Sequence, residues 1–386
     1  MHIRSEPDTL TKLTRMGDAT LFEPAGDAPQ QEVRAGRYQS RSLDECISNV
    51  ETPSGAKPIL KTMLTTACER DCYYCPFRAG RAKTDRVTIR PDDMAMAFDT
   101  LQRAKRVDGL FLSSGIIRGG VTTQDKLIDT IEIVRRKYGY RGYVHLKVMP
   151  GSEYDQLYRA MQLADRVSVN LEAPTQERLN ALAPKKDFER ELLRVLQLAA
   201  RIRSEHPHER LARTVTQFVV GAVGDTDVEL LSLTSRLHRQ MDLTRAYFSA
   251  FHPISDTPLE NVTATGEMRQ HRLYQSSFLL RDYGWDVEDL PFSGDGNLPT
   301  NLDPKQAWAE QHLLDAPVEL STADRARLLR IPGVGPKSAD AILRARRDGR
   351  LRNLEDLRKL GVANPRRAAP YILLNGRSPL VQQRLF

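Results

Sequence analysis

The sequence predicts an α/β chain, a partial (β/α)6 TIM-like barrel over residues 58–258, followed by a small all-α domain over residues 318–386. Two patterns carry that expectation. From Ile59 to Ile254 short apolar runs alternate with longer stretches of helical period, the signature of repeated βα units around a parallel sheet. Near the C-terminus, two glycines and two prolines interrupt a helical pattern and force a tight hairpin. At 386 residues the chain is long enough for a barrel and a smaller domain, and 40% hydrophobic with 28% charged residues fits a globular protein.

The strands are expected near 59–66, 109–115, 143–149, 166–172, 214–221 and 245–252. Helices are expected near 91–106, 123–138, 153–164, 188–205 and 226–241. Pro91-Asp92-Asp93 opens the first helix with a proline and first-turn acids, and Asp225-Thr226-Asp227 offers capping oxygens to the last. Residues 1–57 form an N-terminal extension, a basic amphipathic lead-in. Residues 259–317 form a connector, with helical period from Arg269 to Tyr283 and a surface-loop composition from Pro291 to Asn297.

Directly after the first strand comes Cys68-Glu-Arg-Asp-Cys72-Tyr-Tyr-Cys75. A four-iron cluster normally takes four thiolates, so three thiolates in one eight-residue loop leave one iron open to another ligand. A structural zinc site is the alternative. It would need a fourth ligand and a second Cys/His hook, and Cys46 is the only other cysteine. Cys46 itself reads as a small buried apolar residue.

The CX3CX2C spacing, with an aromatic residue before the third cysteine, resembles the radical S-adenosylmethionine (radical SAM) superfamily. The resemblance implies that Cys68, Cys72 and Cys75 hold a 4Fe-4S cluster, that its open iron chelates the methionine moiety of S-adenosyl-L-methionine, and that an electron from an external donor splits the cofactor to a 5′-deoxyadenosyl radical. It also implies that the Tyr74 backbone lies near the adenine. The partial barrel is the architecture of that superfamily's core.

Function in such barrels collects at the C-terminal ends of the strands. The second strand closes with Ser113-Ser114-Gly115, where the superfamily usually carries a Gly-Gly-Glu-like turn for the methionine amino group. No acid is present here, so backbone carbonyls would have to substitute. Alternation places His145, Lys147 and Met149 on one face of the third strand, and Ser168, Asn170 and Glu172 on one face of the fourth. By position, Asn170 and Glu172 are candidates for the ribose hydroxyls and the methionine ammonium, and Lys147 for its carboxylate. The alternative is that these groups bond one another or water inside the barrel. Gln217 with Val219-Val220-Gly221 resembles the strand that approaches adenine. His252, at the exit of the sixth strand, reads as structural, and no catalytic residue is assigned.

The C-terminal pattern Leu328-Leu329-Arg330-Ile331-Pro332-Gly333-Val334-Gly335-Pro336-Lys337-Ser338-Ala339 resembles the helix-hairpin-helix motif of DNA repair and recombination proteins. The resemblance implies that Gly333, Val334, Gly335, Lys337 and Ser338 meet a nucleic-acid phosphate at a helix N-terminus, without reading bases. A looser copy, Leu357 to Ala368, lacks the second glycine and is expected to serve as a structural partner pair. Packing against the barrel or binding protein is the alternative use of such a hairpin. Net charge supports the phosphate reading. Residues 318–386 carry fifteen Lys/Arg against six Asp/Glu, whereas the whole chain is only +7.

A radical SAM barrel joined to a helix-hairpin-helix module resembles an uncharacterised bacterial group of radical SAM proteins linked to DNA modification or repair. The enzyme expected acts on nucleic acid. Two alternatives stand beside it: a nucleic-acid-binding or damage-sensing protein with a structural or redox-responsive cluster, and a radical SAM enzyme acting on RNA or protein. No apolar stretch approaches the twenty residues that span a bilayer, and Met1 to Glu6 lacks the apolar core of a signal peptide, so a cytoplasmic location and no membrane partner are expected.

Overall fold

The computed structural model of the chain describes residues 8–16, 43–52, 55–349 and 351–379. The expectations for Met1 to Glu6, for most of the N-terminal extension and for residues 380–386 lie outside the described residues. The chain divides into two compact units, residues 1–225 with 237–265, and residues 226–236 with 266–386.

In the first unit, helix α1 (Thr9–Arg15), capped by the Asp8 carboxylate on the Thr11 N–H, precedes strand β1 (Ile47–Thr52). The core then alternates β2 (Gly55–Met63), α2 (Pro91–Arg103), β3 (Gly109–Ser113), α3 (Gly120–Arg136), β4 (Tyr143–Lys147), α4 (Tyr154–Leu163), β5 (Arg166–Glu172), α5 (Gln176–Leu182), α6 (Arg194–Glu205), β6 (Arg213–Val220) and β7 (Arg245–Ala250); α7 (Asp227–Met241) lies between β6 and β7 in sequence, and its residues 227–236 count with the second unit. Neighbouring strands pair in sequence order in one seven-stranded sheet, with β1 antiparallel to β2 and the remaining six parallel. The six parallel strands are those expected from the sequence. β1, α5 and a π-helical turn at Phe188–Leu193 ahead of α6 were not foreseen.

Strand register fixes which side chains share the concave face. Lys61, Phe111, His145 and Arg166 are cross-strand neighbours, Lys147 stands beside Ser168 and Val215, and Asn170 stands beside Gln217 and Tyr247. The opposite face carries Leu60, Leu110, Leu112, Val144, Leu146, Val167 and Val169, all buried, so it packs as an ordinary apolar layer. The concave face is therefore unusually polar for so little exposure, and the apolar layer holds it in place.

In the second unit, α8 (Glu267–Asp282) and α9 (Pro304–His312) precede strand β8 (Val318–Glu319). Two short helix pairs follow: α10 (Arg325–Leu328) with α11 (Pro336–Ala345), and α12 (Leu354–Lys359) with α13 (Pro365–Ala368). Strand β9 (Ile372–Leu373) then pairs parallel with β8. Leu328, Leu329, Ile331, Val334, Ile342, Leu357, Val362 and Ala368 share one hydrophobic core. Each pair turns through a glycine in the left-handed region, Gly333 at φ +83° and Gly361 at φ +86°. The Ser338 hydroxyl donates to the Gly361 carbonyl (2.8 Å), tying one turn to the other. Arg330 lies against the Trp285 ring (4.2 Å) and the Trp308 ring (4.9 Å) and pairs with Asp289 (2.6 Å).

Lys305 on α9 is 9% exposed and donates to the Val334 carbonyl inside the first turn. Burial and then the Arg330 guanidinium push its pKa down to about 7 from 10.5. A lysine whose folded pKa lies below its unfolded value costs stability at and below the folded value, and the cost fades as pH rises toward the unfolded one. Stability of the chain should therefore climb between pH 7 and pH 10.5, by up to about 1.4 kcal/mol per pH unit from this group. Urea denaturation across that range should show the Lys305→Met variant with a correspondingly flatter profile.

Candidate metal and cofactor site

The three motif cysteines lie in the loop that leaves the C-terminal end of β2. Backbone hydrogen bonds tie that loop to the end of β3: Leu64 N–H to Ser113 O (2.9 Å), Gly115 N–H to Thr65 O (2.8 Å) and Glu69 N–H to Ile116 O (2.8 Å). The approach is so close that a Cβ on Gly115 would sit 2.2 Å from the Ala67 carbonyl oxygen. Glycine is thus required here for space. Tyr73 N–H donates to Leu182 O (2.8 Å), anchoring the other side of the loop to the end of α5.

Within the loop the sulfurs receive backbone donors. Cys68 Sγ accepts from the N–H groups of Arg70 and Ile116, and Cys75 Sγ from that of Phe77, each at 3.4 Å. Cys72 is buried, and Cys68 and Cys75 are partly so. Burial pushes the Cys72 thiol up, partly countered by Lys186. The Cys75 thiol is pushed well up by burial and then by Cys72. Charge on Cys68 also raises the Cys72 thiol, and charge on Cys72 and Cys68 raises that of Cys75. Among the described residues no three His, Cys, Asp or Glu side chains are gathered as for a single chelated ion. An iron–sulfur cubane takes its thiolates at separate corners, and N–H groups aimed at sulfur are how proteins tune such clusters, so the donor set fits a cubane. Cys46 stands apart, fully buried, with its thiol donating to the Leu13 carbonyl (3.2 Å).

Beside the cysteines, the end of β5 carries Glu172 in the left-handed region, φ +66°, after a register shift between Asn170 and Glu172. That irregularity aims its carboxylate at the loop. Glu172 is 2% exposed, accepts from the Tyr74 hydroxyl (2.6 Å), and pairs with Lys186 (2.7 Å). Burial alone would raise the Glu172 pKa, but Lys186 and Tyr74 outweigh it and hold the carboxyl below its usual range. Burial likewise works against the Lys186 charge, yet Cys72 and Glu172 more than compensate and raise its pKa. Lys186, in a charged loop, was not recognised in the sequence.

The remaining expected cofactor residues are distributed as follows. Ser113 is buried at the end of β3, and the Ser114 hydroxyl donates to the Gly115 carbonyl (2.7 Å). Lys147 donates to Asn170 (2.5 Å), so those two bond each other across β4 and β5. Ser168 is 4% exposed and its hydroxyl has no hydrogen-bond partner among the described residues. Gly221, at φ +86°, closes β6 with its N–H on the Asp225 carboxylate (3.0 Å). His252 is exposed. A cavity of about 610 Å³ lined by Arg135, Arg136, Arg141, Arg159, Asp165 and Arg210 lies at the opposite, N-terminal end of β5 and β6. Arg135 there donates to the last carbonyl of α4, a helix-capping arrangement.

In the second unit, Gly333 and Lys337 are exposed and Val334 and Ser338 are buried. Gly335 is the N-cap of α11, with Pro336 at its first position. The Lys337 and Ser338 N–H groups fall among those an α-helix leaves without intrahelical partners.

Two outcomes follow from this geometry. Gly115→Ala should lower stability by about 3 kcal/mol and abolish iron loading, because the added methyl meets backbone rather than a side chain that could rotate away. Denaturant titration and iron analysis check it. Glu172→Gln should cost about 3 kcal/mol even in cluster-free protein by leaving Lys186 charged and unpaired, and Glu172→Gln with Lys186→Met should recover most of the loss.

Residues 62–236 match the sequence model described as the Radical SAM superfamily. No curated protein matches the sequence. Among solved structures, the FeFe-hydrogenase maturase HydG from Carboxydothermus hydrogenoformans is similar at 14% identity and a TM-score of 0.47, over 57% of this chain and 50% of that one. Methylornithine synthase (PylB) is similar at 16% identity and a TM-score of 0.44, over 57% of this chain and 60% of that one. The chain thus spans between half and three-fifths of those structures. Superfamily members use a 4Fe-4S cluster and S-adenosylmethionine. Among the described residues no helix is long and apolar enough to cross a membrane. The match to the Radical SAM superfamily model takes in the cysteine loop and strands β3 to β6.

Proposed function

We propose that this chain is a radical SAM enzyme that acts on nucleic acid. The observation that carries the enzyme reading is the loop of Cys68, Cys72 and Cys75 held at the C-terminal ends of β2 and β3, with N–H groups on two of its sulfurs and Glu172 beside it. When bound there, a 4Fe-4S cluster with one open iron supplies the electron, taken from an external donor, that cleaves S-adenosylmethionine to methionine and a 5′-deoxyadenosyl radical. The chain's own residues hold and orient. Tyr74 and Lys186 keep Glu172 ionised and fixed in place, suited to meet the cofactor's ammonium, while Lys147 and Asn170 offer a cation and an amide one step deeper. Burial of these groups excludes water from a reactive intermediate.

The nucleic-acid part of the reading rests on the C-terminal helix pairs. Their matching left-handed glycines, shared core and Ser338–Gly361 tie support a helix-hairpin-helix reading. In it the N-terminus of α11, with exposed Lys337 on its first turn, faces a phosphate, and the excess of Lys/Arg after residue 318 follows the backbone. The Ser338 side chain, turned to Gly361, contributes through its backbone alone.

Anaerobic reconstitution should load about four irons per chain, and reductant with S-adenosylmethionine should release 5′-deoxyadenosine. Cys72→Ala should lose both and keep its affinity for DNA. A cluster-bearing sensor would instead lose its folding or regulation with that change. Lys337→Ala should weaken binding to duplex DNA, single strands and tRNA without changing their order, and should reduce the salt slope by about one. Binding indifferent to salt would remove the nucleic-acid reading and leave the enzyme reading standing.

A further inference from the structure

At the end of the first unit away from the cysteine loop, the cavity of about 610 Å³ is lined by five arginines, one carboxylate and little apolar surface. The arginines come from separate elements. Arg135 and Arg136 end α3, Arg141 lies in the turn before β4, Arg159 is on α4, and Arg210 precedes β6. Strand β5 runs from this end up to Glu172, a length of about 20 Å. A ligand held here is out of reach of any hydrogen abstraction beside the cysteines.

Arginines near helix C-termini can serve only to cap carbonyls, and Arg135 does so. It donates to the carbonyls of Leu163 (2.9 Å), Tyr140 (3.1 Å) and Gly142 (2.7 Å) and to Asp165 (3.3 Å), which fixes the cavity wall. Among the described residues the other four bond no carbonyl. The Arg210 side chain is 94% exposed and touches Asp165 at 3.2 Å, and that of Arg136 is 70% exposed and lies 3.8 Å from Glu132. Arg159 shares Glu132 and donates to Gln162 (3.1 Å). Arg141 is exposed and makes no ion pair among the described residues. Behind Gln162, Glu209 accepts from it (3.2 Å) and from Tyr158. The guanidinium groups therefore outnumber the carboxylates, and each of Asp165 and Glu132 is divided between two of them. Exposed pairs of this kind are weak, so an incoming anion can add to them at small cost.

We propose that this cavity binds the oligophosphate chain of a small ligand, a pyrophosphate or a nucleoside di- or triphosphate. The fork of an arginine matches phosphate oxygens two at a time, and cations set on several sides can reach successive phosphates of one chain. The volume exceeds what one phosphate fills and lies in the range of small-ligand pockets. Leu163 and Ala164 offer little surface to a base, so recognition falls on the phosphates. A lining drawn from separate elements surrounds a compact anion, whereas a nucleic-acid backbone needs its cations in a row. The site is independent of the radical SAM reading and goes beyond it.

The test is equilibrium binding to the full chain, reconstituted anaerobically, at fixed ionic strength. The probes are pyrophosphate, ATP, orthophosphate, citrate and a short single-stranded oligonucleotide. Pyrophosphate should bind at least about tenfold more tightly than orthophosphate, and the double variant Arg141→Ala with Arg210→Ala should lose at least about tenfold of that affinity. Arg141→Ala alone, which removes no ion pair, should melt with the wild type and show part of the loss. Saturating S-adenosylmethionine and Lys337→Ala should each leave pyrophosphate affinity unchanged, which separates this site from the cofactor site and the C-terminal turn. ATP binding at least as tightly as pyrophosphate, with the same dependence on the two arginines, supports the site and assigns a nucleotide to it. Pyrophosphate binding more tightly than ATP supports the site and assigns the free oligophosphate. Orthophosphate or citrate matching pyrophosphate overturns the proposal, as does pyrophosphate affinity untouched by the double variant. An oligonucleotide that depends on both arginines while pyrophosphate fails to bind also overturns it and gives the cavity to a nucleic-acid backbone. The readout is binding, so a chain that cleaves no S-adenosylmethionine leaves this test intact.

Discussion

The absence of a side chain at Gly115 decides whether the cysteine loop can exist in this form. The end of β3 must come close enough to the loop after β2 for Gly115 N–H to reach Thr65 O, and the Ala67 carbonyl then fills the space a Cβ would occupy. Once that contact is made, Ile116 is placed to donate its N–H to Cys68 Sγ and to accept from Glu69. The geometry of the first sulfur is thus inherited from strand pairing in the barrel. Tyr73 on Leu182 performs the same service on the far side. A loop of eight residues could not fix three sulfurs by its own hydrogen bonds alone.

Electrostatics along the concave face change with depth. At the top, Glu172 supplies a carboxylate that Lys186 and Tyr74 hold ionised, and its left-handed backbone is the strained element of the site. Deeper, Lys147 and Asn170 satisfy each other. Deeper still, cations surround a neutral histidine.

Much of the barrel was legible because its strands are buried on the outer face and carry clear apolar runs between helical stretches of ordinary length. β1 was not, because Ile47 to Thr52 alternates weakly and gains its order from pairing with β2. α5 is only seven residues long, and its Thr175 cap gave too small a signal beside the strand before it. The cysteine motif could be read from its spacing, and the polar residues of β4 and β5 from alternation. Lys186 could not, since Lys185-Lys186-Asp187 looks like any solvated loop until folding buries one lysine against Glu172. Gly115 was noticed for the missing acid of its turn, whereas its steric role depends on a contact fifty residues away in sequence. At the second C-terminal turn Gly361 alone supplies the left-handed residue the turn needs.

The most direct test of the central claim, three thiolates leaving one iron open to S-adenosylmethionine, is electron paramagnetic resonance of the anaerobically reconstituted, reduced protein with and without that cofactor. The account predicts a reduced 4Fe-4S signal whose shape changes when S-adenosylmethionine is added, and no such signal in Cys72→Ala. A cluster signal that is the same with and without the cofactor, or a protein that holds zinc in place of iron, would contradict it.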